Sequence, residues 1–400
     1  MPIKMFKYWD QQTGHKRVLI RHYLDWAATA IEEESSEIPI QGNPSSLHME
    51  GKVARSALEA ARADCASVLG VEAENLYFTS GGTESNTILL HSFLFQALSL
   101  KNSKAKILYS DIEHPSIREN CLLFNKLSIP TTTIGIEKNG RISTELFSRA
   151  LAKNEDCRFA AIMGVNNETG AIMDLKELVS IAREQEKKTG LSIHIHADLV
   201  QALGKIPLDI KGWDLDSASF SSHKLGGPKG IGLLFMKKKR EPLSRGGSQE
   251  NSFRPGTENI SGAIAMAKIM KKRTAAFEAA FEKACRLNNY LIENLNKIKT
   301  SYLIPENRKA EDDFYSPWIL QAGFRGVPGA VLVRALDKEG IAISTGSACS
   351  SSSAQRPVLS AMGLDKSKQL EGIRISQGWT TEKEDLDALF NALNKVLSYL

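Results

Sequence analysis

The sequence predicts an α/β protein with a mostly parallel sheet in a large domain and a smaller α+β domain beside it in the chain. Three observations predict this. From about residue 23 to 260, short β-rich runs alternate with helical stretches, the pattern of strands covered by helices on both faces. A Gly-Gly turn and a strand-end aspartate fall where open sheets present ligand-binding groups. A long helical stretch then leads to a second, shorter set of strands and helices.

Taken in order, FTSGGTESNTILLHSFLFQAL reads as a strand end, a turn and a helix whose apolar residues recur at Leu90, Phe93, Leu94 and Ala97. The runs AKILYSD, RFAAIMGVN, LSIHIHAD, LDSASFSS and GIGLLFMK read as strands, and LKELVSIAREQEKKTG as a helix between two of them. Residues 260–300 read as one continuous helix, with no Pro or Gly after Gly262, that requires a large apolar partner. Beyond it, YSPWILQAGF and IAISTG read as strands, and the stretch near 329–336 as a helix. The C-terminal EDLDALFNALNKVLSYL carries Leu386, Leu389, Leu393 and Val396 on one face. The expected domains are 23–262 (large), and 1–22 with 263–400 (small).

The chain has 400 residues, 42% hydrophobic and 24% charged, and a net charge of +5. That is ordinary globular composition and excludes disorder. The longest apolar stretch, Ile88 to Leu100, is about 13 residues, below the roughly 18 a membrane span needs. No signal-peptide pattern opens the chain, so a cytoplasmic protein without membrane contact is expected. The basic runs at 237–240 and 271–273 read as solvated surface, with no nucleic-acid partner expected. Cys65, Cys121, Cys157, Cys285 and Cys349 contain no CxxC pair, so neither a metal site nor a disulfide framework is expected.

The Gly-Gly turn before a helix offers amides, with the Thr83 hydroxyl, to an anion. It lacks the GxGxxG and GxxxxGK[ST] spacings of dinucleotide and nucleoside triphosphate sites. Asp198 ends a strand, and SFSSHKLGGPKGIG places His223 and Lys224 in a Gly-rich bend soon after. A phosphate-type turn, a carboxylate and a lysine together are what pyridoxal phosphate requires: donors for the phosphate, an acid for the ring nitrogen and an amine for the Schiff base.

The residues YLDWAAT, GNPSSLHMEG, FTSGGTESN, EHPSI, VNNETG, HADLVQALGK, SFSSHKLGGPKGIG, GGSQENSFRPGTENI, STGSACSSS and GIRIS follow one another in register. In these blocks the chain resembles the cysteine desulfurases of the NifS/IscS type, class V aminotransferases of the fold type I pyridoxal phosphate enzymes. The resemblance implies that Lys224 carries the cofactor and that Asp198 pairs with its ring nitrogen. Gln201 and Asn167 would bond the ring's O3′ side, with Asn167 also at the substrate, and His114 would stack on the ring and move protons. Gly82, Thr83, Ser221 and His223 would bind the phosphate, and Thr257 would reach the phosphate of a neighbouring subunit, which makes the active form a homodimer. Arg374 would clamp the substrate carboxylate.

The resemblance further implies that Cys349, in a loop of small residues, attacks the sulfur of bound L-cysteine, leaving alanine and a persulfide. The other four cysteines read as buried hydrophobes. The Ser-rich continuation resembles long-loop desulfurases that pass sulfur to iron–sulfur scaffold or tRNA-thiolation proteins; an RxGHHCA block is absent. Trp26, Leu199, Trp379 and the acidic segment 30–41 depart from the family pattern, and bear on the entrance and partner surface. Other class V activities, a selenocysteine lyase or an aminotransferase, would keep Lys224 and Asp198, and a silent assembly subunit would lack Lys224, Asp198 or Cys349.

Overall fold

The structure, a computed structural model, describes residues 5–10, 15–33, 42–99, 105–346 and 356–400. In chain order the strands are β1 (Met5–Asp10), β2 (His15–Ile20), β3 (His22–Tyr23), β4 (Leu76–Thr79), β5 (Lys106–Ser110), β6 (Thr131–Ile134), β7 (Cys157–Met163), β8 (His194–Asp198), β9 (Ser217–Ser221), β10 (Gly232–Met236), β11 (Ser301–Ile304), β12 (Ile319–Phe324), β13 (Ile341–Ala342) and β14 (Ile373–Ser376). The helices are α1 (Met49–Leu69), α2 (Gly82–Ser99), α3 (Pro115–Lys126), α4 (Thr144–Lys153), α5 (Leu175–Thr189), α6 (Ile260–Ala275), α7 (Phe277–Leu295), α8 (Gly329–Lys338), α9 (Pro357–Ala361), α10 (Lys366–Glu371) and α11 (Lys383–Leu397).

The larger unit, Ala30–Asn166 with Ile172–Phe277, is built on a seven-stranded sheet of order β4-β10-β9-β8-β7-β5-β6. Strands β6, β5, β7, β8 and β9 run parallel, while β10 is antiparallel to both β9 and β4. The mostly parallel sheet expected from the sequence is therefore present. Strands buried on both faces read as continuous apolar runs, as in Ala160 to Met163 of β7, all nearly inaccessible. Helices α2 and α3 close one side through Leu89, Leu90, Phe93, Ile117 and Phe124, which share a core with Ile107 and Phe159 of the sheet. Helix α1 packs along α6, so the apolar partner that α6 requires lies within the same unit.

The smaller unit, Met1–Thr29 with Asn167–Ala171 and Glu278–Leu400, carries the antiparallel sheet β11-β12-β14, the β13-β3 pair and the β1-β2 hairpin. Leu386, Leu389, Leu393 and Val396 of α11 enter its core with Leu332 and Leu336 of α8 and Ile373 and Ile375 of β14. Residues 23–29 and 167–171, placed by sequence with the large domain, cluster here instead, and the change of unit falls at Phe277 and Glu278 rather than after 262. The single helix expected over 260–300 is two helices broken at Ala276, where the backbone leaves helical geometry (φ −102°, ψ 10°). The break coincides with the passage of the chain from one unit to the other. No Gly or Pro marks it in the sequence. No described helix is long and apolar enough to cross a membrane.

Candidate active site

The carboxyl edge of the parallel strands gathers most of the expected residues in the larger unit. Strand β8 ends at Asp198, which is buried, with Oδ1 accepting from the Val200 amide at 3.0 Å and Oδ2 from Asn86 Nδ2 at 2.9 Å. Two residues on, Val200 closes over the Gly-Gly turn, where a Cβ on Gly82 would lie 2.5 Å from Val200 Cγ2. Gly81 holds φ +151°, a conformation that a side chain rarely adopts. Thr83 is exposed in the first turn of α2, and Ser221, the last residue of β9, reaches to 3.5 Å from the position of a Gly81 Cβ. The Thr83 and Ser221 hydroxyls and the first-turn amides of α2 thus belong to one helix start.

His223 and Lys224 follow directly in a short 3-10 turn, Ser222–Lys224, and both are half-buried. The chain reverses at Gly226 (φ +89°), and Arg273 of α6 braces the bend by donating from Nε to the Leu225 carbonyl at 2.8 Å. Burial, and then the positive charges of Lys224, Lys205 and Lys229, push the His223 imidazole down to about 4. His114, the N-cap of α3, is held below the ordinary imidazole value mainly by burial; the charge of Asp198 raises it and that of Lys224 lowers it. Asp198 and Lys224 therefore both stand close enough to His114 for their charges to act on it. Gln201 is buried and accepts from Lys205 Nζ at 2.9 Å. Thr257 is exposed, three residues after Arg254, whose Nε lies 3.1 Å from the Glu84 carboxylate beside Thr83.

In the smaller unit, Arg374 on β14 is buried. Its Nη1 donates to the carbonyls of Asn167 (2.7 Å) and Gly346 (3.2 Å), and its Nη2 to Asp25 Oδ1 (2.8 Å) and Ser344 Oγ (3.1 Å). Only Nε has no partner among the described residues. The fork that the resemblance assigns to the substrate carboxylate thus meets four protein acceptors here, as a buried guanidinium demands. Asn167 and Arg374 do adjoin, through the Asn167 backbone. Cys349 lies outside the described residues. Cys65, Cys121 and Cys157 are buried free thiols, all pushed up by burial, Cys65 and Cys157 to about 12; Cys285 is partly buried and also raised.

The departures from the family pattern have local counterparts. Leu199 is fully buried and fills the space left by Gly164, where a Cβ would lie 2.5 Å from Leu199 Cδ2. Trp26 packs over Gly378 and lies edge-on to Trp379, 6.1 Å between ring centroids, and Trp379 tilts against Trp318 at 5.3 Å. Glu33, from the acidic segment, pairs with Arg273 at 2.7 Å; residues 34–41 lie outside the described residues. Asn86, Ser116, His196 and Glu113 were not singled out from the sequence. The period-2 spacing of His194, His196 and Asp198, which sets three polar groups on one face of β8, is the signal that could have found His196.

An aminotransferase class-V family model matches residues 22–389, so the chain belongs to that family. The cysteine desulfurase IscS of Dictyoglomus turgidum is 36% identical over 390 residues, covering 94% of this chain and 95% of the relative. That of Methanosarcina thermophila is 34% identical, covering 94% and 92%. A solved NifS-like protein superposes with a TM-score of 0.85 at 28% identity, covering 95% of this chain and all of the other. Within the class, the chain is a member of the NifS/IscS group of cysteine desulfurases, which are pyridoxal phosphate enzymes. The residues fit that cofactor: the cations around His223 suit a phosphate dianion, the closely packed Gly82 turn presents amides to it, and Asp198 supplies a buried carboxylate for a protonated ring nitrogen.

Proposed function

We propose that the chain converts L-cysteine to L-alanine with Cys349 as sulfur acceptor, and that the residues of the carboxyl edge hold pyridoxal phosphate for this reaction. The observation that carries the reading is Asp198, buried at the end of β8 with both oxygens held by donors, acting with Lys224 on a common histidine. Pyridoxal phosphate, when bound, supplies the electron sink for a pair released at the substrate Cα. Lys224 would hold the cofactor through its amine and would be the group that moves a proton at the substrate Cα. Asp198 would keep the ring nitrogen protonated, and Gln201 and Asn167 would bond the O3′ side. Gly82, Thr83, Ser221 and His223 would bind the phosphate. His114 would stack on the ring face, where it can move protons.

Arg374 takes the substrate carboxylate in exchange for a carbonyl partner, a trade of a neutral acceptor for an anionic one. The Cys349 thiolate attacks the substrate Sγ: an S–S bond forms, the Cβ–Sγ bond breaks, and its electron pair stays with Cβ, which gains a proton to become the methyl group of alanine. The persulfide then passes its outer sulfur to an acceptor protein, an iron–sulfur scaffold or a tRNA-thiolation protein. Supporting a homodimer are the exposed Leu47 (88%), Met49 (76%) and Val53 (56%) at the start of α1, an apolar group that a second copy would cover, and the outward Thr257. We place the enzyme in the cytoplasm, where a reducing environment keeps Cys349 a thiol.

The test is the purified protein with L-cysteine and a thiol reductant. Equal alanine and sulfide, and their loss in Lys224→Ala together with the visible absorbance of bound cofactor, are expected. Turnover by Lys224→Ala would overturn the assignment.

A further inference from the structure

We infer that Asn86 is a positioning residue, the branch point of a one-way hydrogen-bond chain that holds Asp198 as an acceptor and fixes His114 with its proton on Nε2. The inference rests on the reading above for the roles of Asp198 and His114, and adds a residue and a proton location to it.

Asn86, in the second turn of α2, is fully buried. Its Nδ2 lies 2.9 Å from Asp198 Oδ2 and 2.9 Å from Ser116 Oγ, and its Oδ1 lies 2.9 Å from His196 Nε2. The amide has one orientation here, because its oxygen cannot face the carboxylate. Both Nδ2 hydrogens are therefore donated, one to Asp198 and one to Ser116. Ser116 Oγ, having accepted, has its own hydrogen to give, and His114 Nδ1 lies 2.8 Å away. The Ser116 amide also donates to Nδ1, at 3.1 Å. Two donors on one nitrogen leave it bare, so the neutral ring carries its proton on Nε2.

The other side of the branch is ordered in the same sense. Asn86 Oδ1 can only accept, so His196 Nε2 carries a hydrogen. His196 is fully buried and held neutral by burial, which makes its Nδ1 the acceptor from Ser217 Oγ at 2.9 Å. Ser217 Oγ then accepts from His194 Nε2 at 2.7 Å, and His194 Nδ1 from Arg240 Nη1 at 3.3 Å. Every donor points the same way, from a guanidinium beyond the amino end of β8 to the carboxylate at its carboxyl end. A cation at one end and an anion at the other polarise the bonds between them in the same direction. Asn86 cannot turn without breaking three of them.

The experiment uses the holoenzyme labelled with 15N-histidine, with the His114 signals assigned by their loss in His114→Gln. Near neutral pH the expected result is an unprotonated Nδ1 and a protonated Nε2 on His114, and a protonated Nε2 on His196. Ser116→Ala, which removes only the His114 branch, should lower kcat with the visible spectrum of the cofactor unchanged. Asn86→Ala should keep the cofactor, lower kcat by at least ~10-fold with the KM for L-cysteine altered less than ~3-fold, and also shift the spectrum, since Asp198 loses a donor. A His114 proton on Nδ1 in the wild type, or wild-type turnover in both variants, overturns the inference. Should Asn86→Ala fail to fold, the wild-type tautomers and Ser116→Ala decide. Absence of alanine formation by the wild type would refute the desulfurase reading and leave the tautomer result to stand by itself.

Discussion

Arg62 of α1 and Glu250, 188 residues later, meet as a buried two-point ion pair, with Nη1 2.7 Å from Oε2 and Nη2 2.8 Å from Oε1. Oε2 also accepts from the Phe78 amide at 2.7 Å, so one carboxylate ties α1, strand β4 and the segment leading to Thr257. The pair also holds Glu250, Asn251 and Ser252 at positive φ (47°, 53° and 63°), a run that costs side-chain-bearing residues energy.

Removing half of that pair leaves a buried charge without its main partner. Among the described residues, Glu250→Ala would leave Arg62 only the exposed Glu59 and the Leu76 carbonyl as hydrogen-bond partners, and should destabilise the protein by about 3–5 kcal/mol. The double variant Arg62→Met, Glu250→Leu should lose less. Urea unfolding followed by circular dichroism measures both, and a loss below about 1 kcal/mol for Glu250→Ala would contradict the assignment.

Stability should fall on both sides of mildly acidic pH, for two different groups. Glu113 is buried; its Oε1 accepts from Ser110 Oγ at 2.5 Å and the Met163 amide at 2.6 Å, and its Oε2 has no partner among the described residues. Burial, with the Asp198 charge adding, pushes this acid from 4.5 up to about 8. The folded chain thus keeps a proton that the unfolded chain releases, and stability drops as pH rises from about 4.5 to 8, by ~1.4 kcal/mol per pH unit for this group. Burial pushes His196 from 6.5 down to about 3; the unfolded chain then binds a proton the folded one refuses, so stability also drops as pH falls from 6.5 toward 3. Glu113→Gln, the same shape as the neutral acid, should remove the alkaline slope and gain stability at pH 8. Urea midpoints at pH 5, 6.5 and 8 test this, and an unchanged slope in the variant would refute it.

Asp198→Asn should do more than weaken the electron sink. Oδ1 and Oδ2 both accept from donors, Val200 N and Asn86 Nδ2, so an amide at 198 must set its NH2 against one of them. The expected cost is about 1–3 kcal/mol of stability, with kcat lowered ~100-fold or more, equal to ~2.7 kcal/mol of barrier. Thermal melts and steady-state alanine formation measure the two effects separately; wild-type kcat with full cofactor occupancy would exclude the ring-nitrogen role.

Strands β5, β7, β8, β9 and β10 were legible because each is a compact β-rich run, buried on both faces in the sheet. Strand β6 was not: it is a sheet edge whose Thr132 and Thr133 are exposed, so no apolar run marks it. The break at Ala276 was equally silent, since Thr274, Ala275 and Phe277 suit a helix and only the change of unit interrupts it. At the site, Gly82, Thr83, Asp198 and Lys224 could be read because each sits next to a turn whose chemistry is local. Asn86 gains its meaning from Asp198, 112 residues away, and from Ser116, 30 away. No spacing within one segment encodes those bonds.

The most direct test of sulfur transfer is mass spectrometry of the wild-type protein after brief exposure to L-cysteine, with Cys349→Ser beside it. One added sulfur, about 32 Da, is expected on the peptide containing Cys349, since a lone thiolate nucleophile takes it. The serine variant should bind cofactor, change its spectrum with L-cysteine, and release almost no alanine. An added sulfur on Cys65, Cys121, Cys157 or Cys285, whose thiols burial holds protonated, or normal turnover by Cys349→Ser, would contradict it.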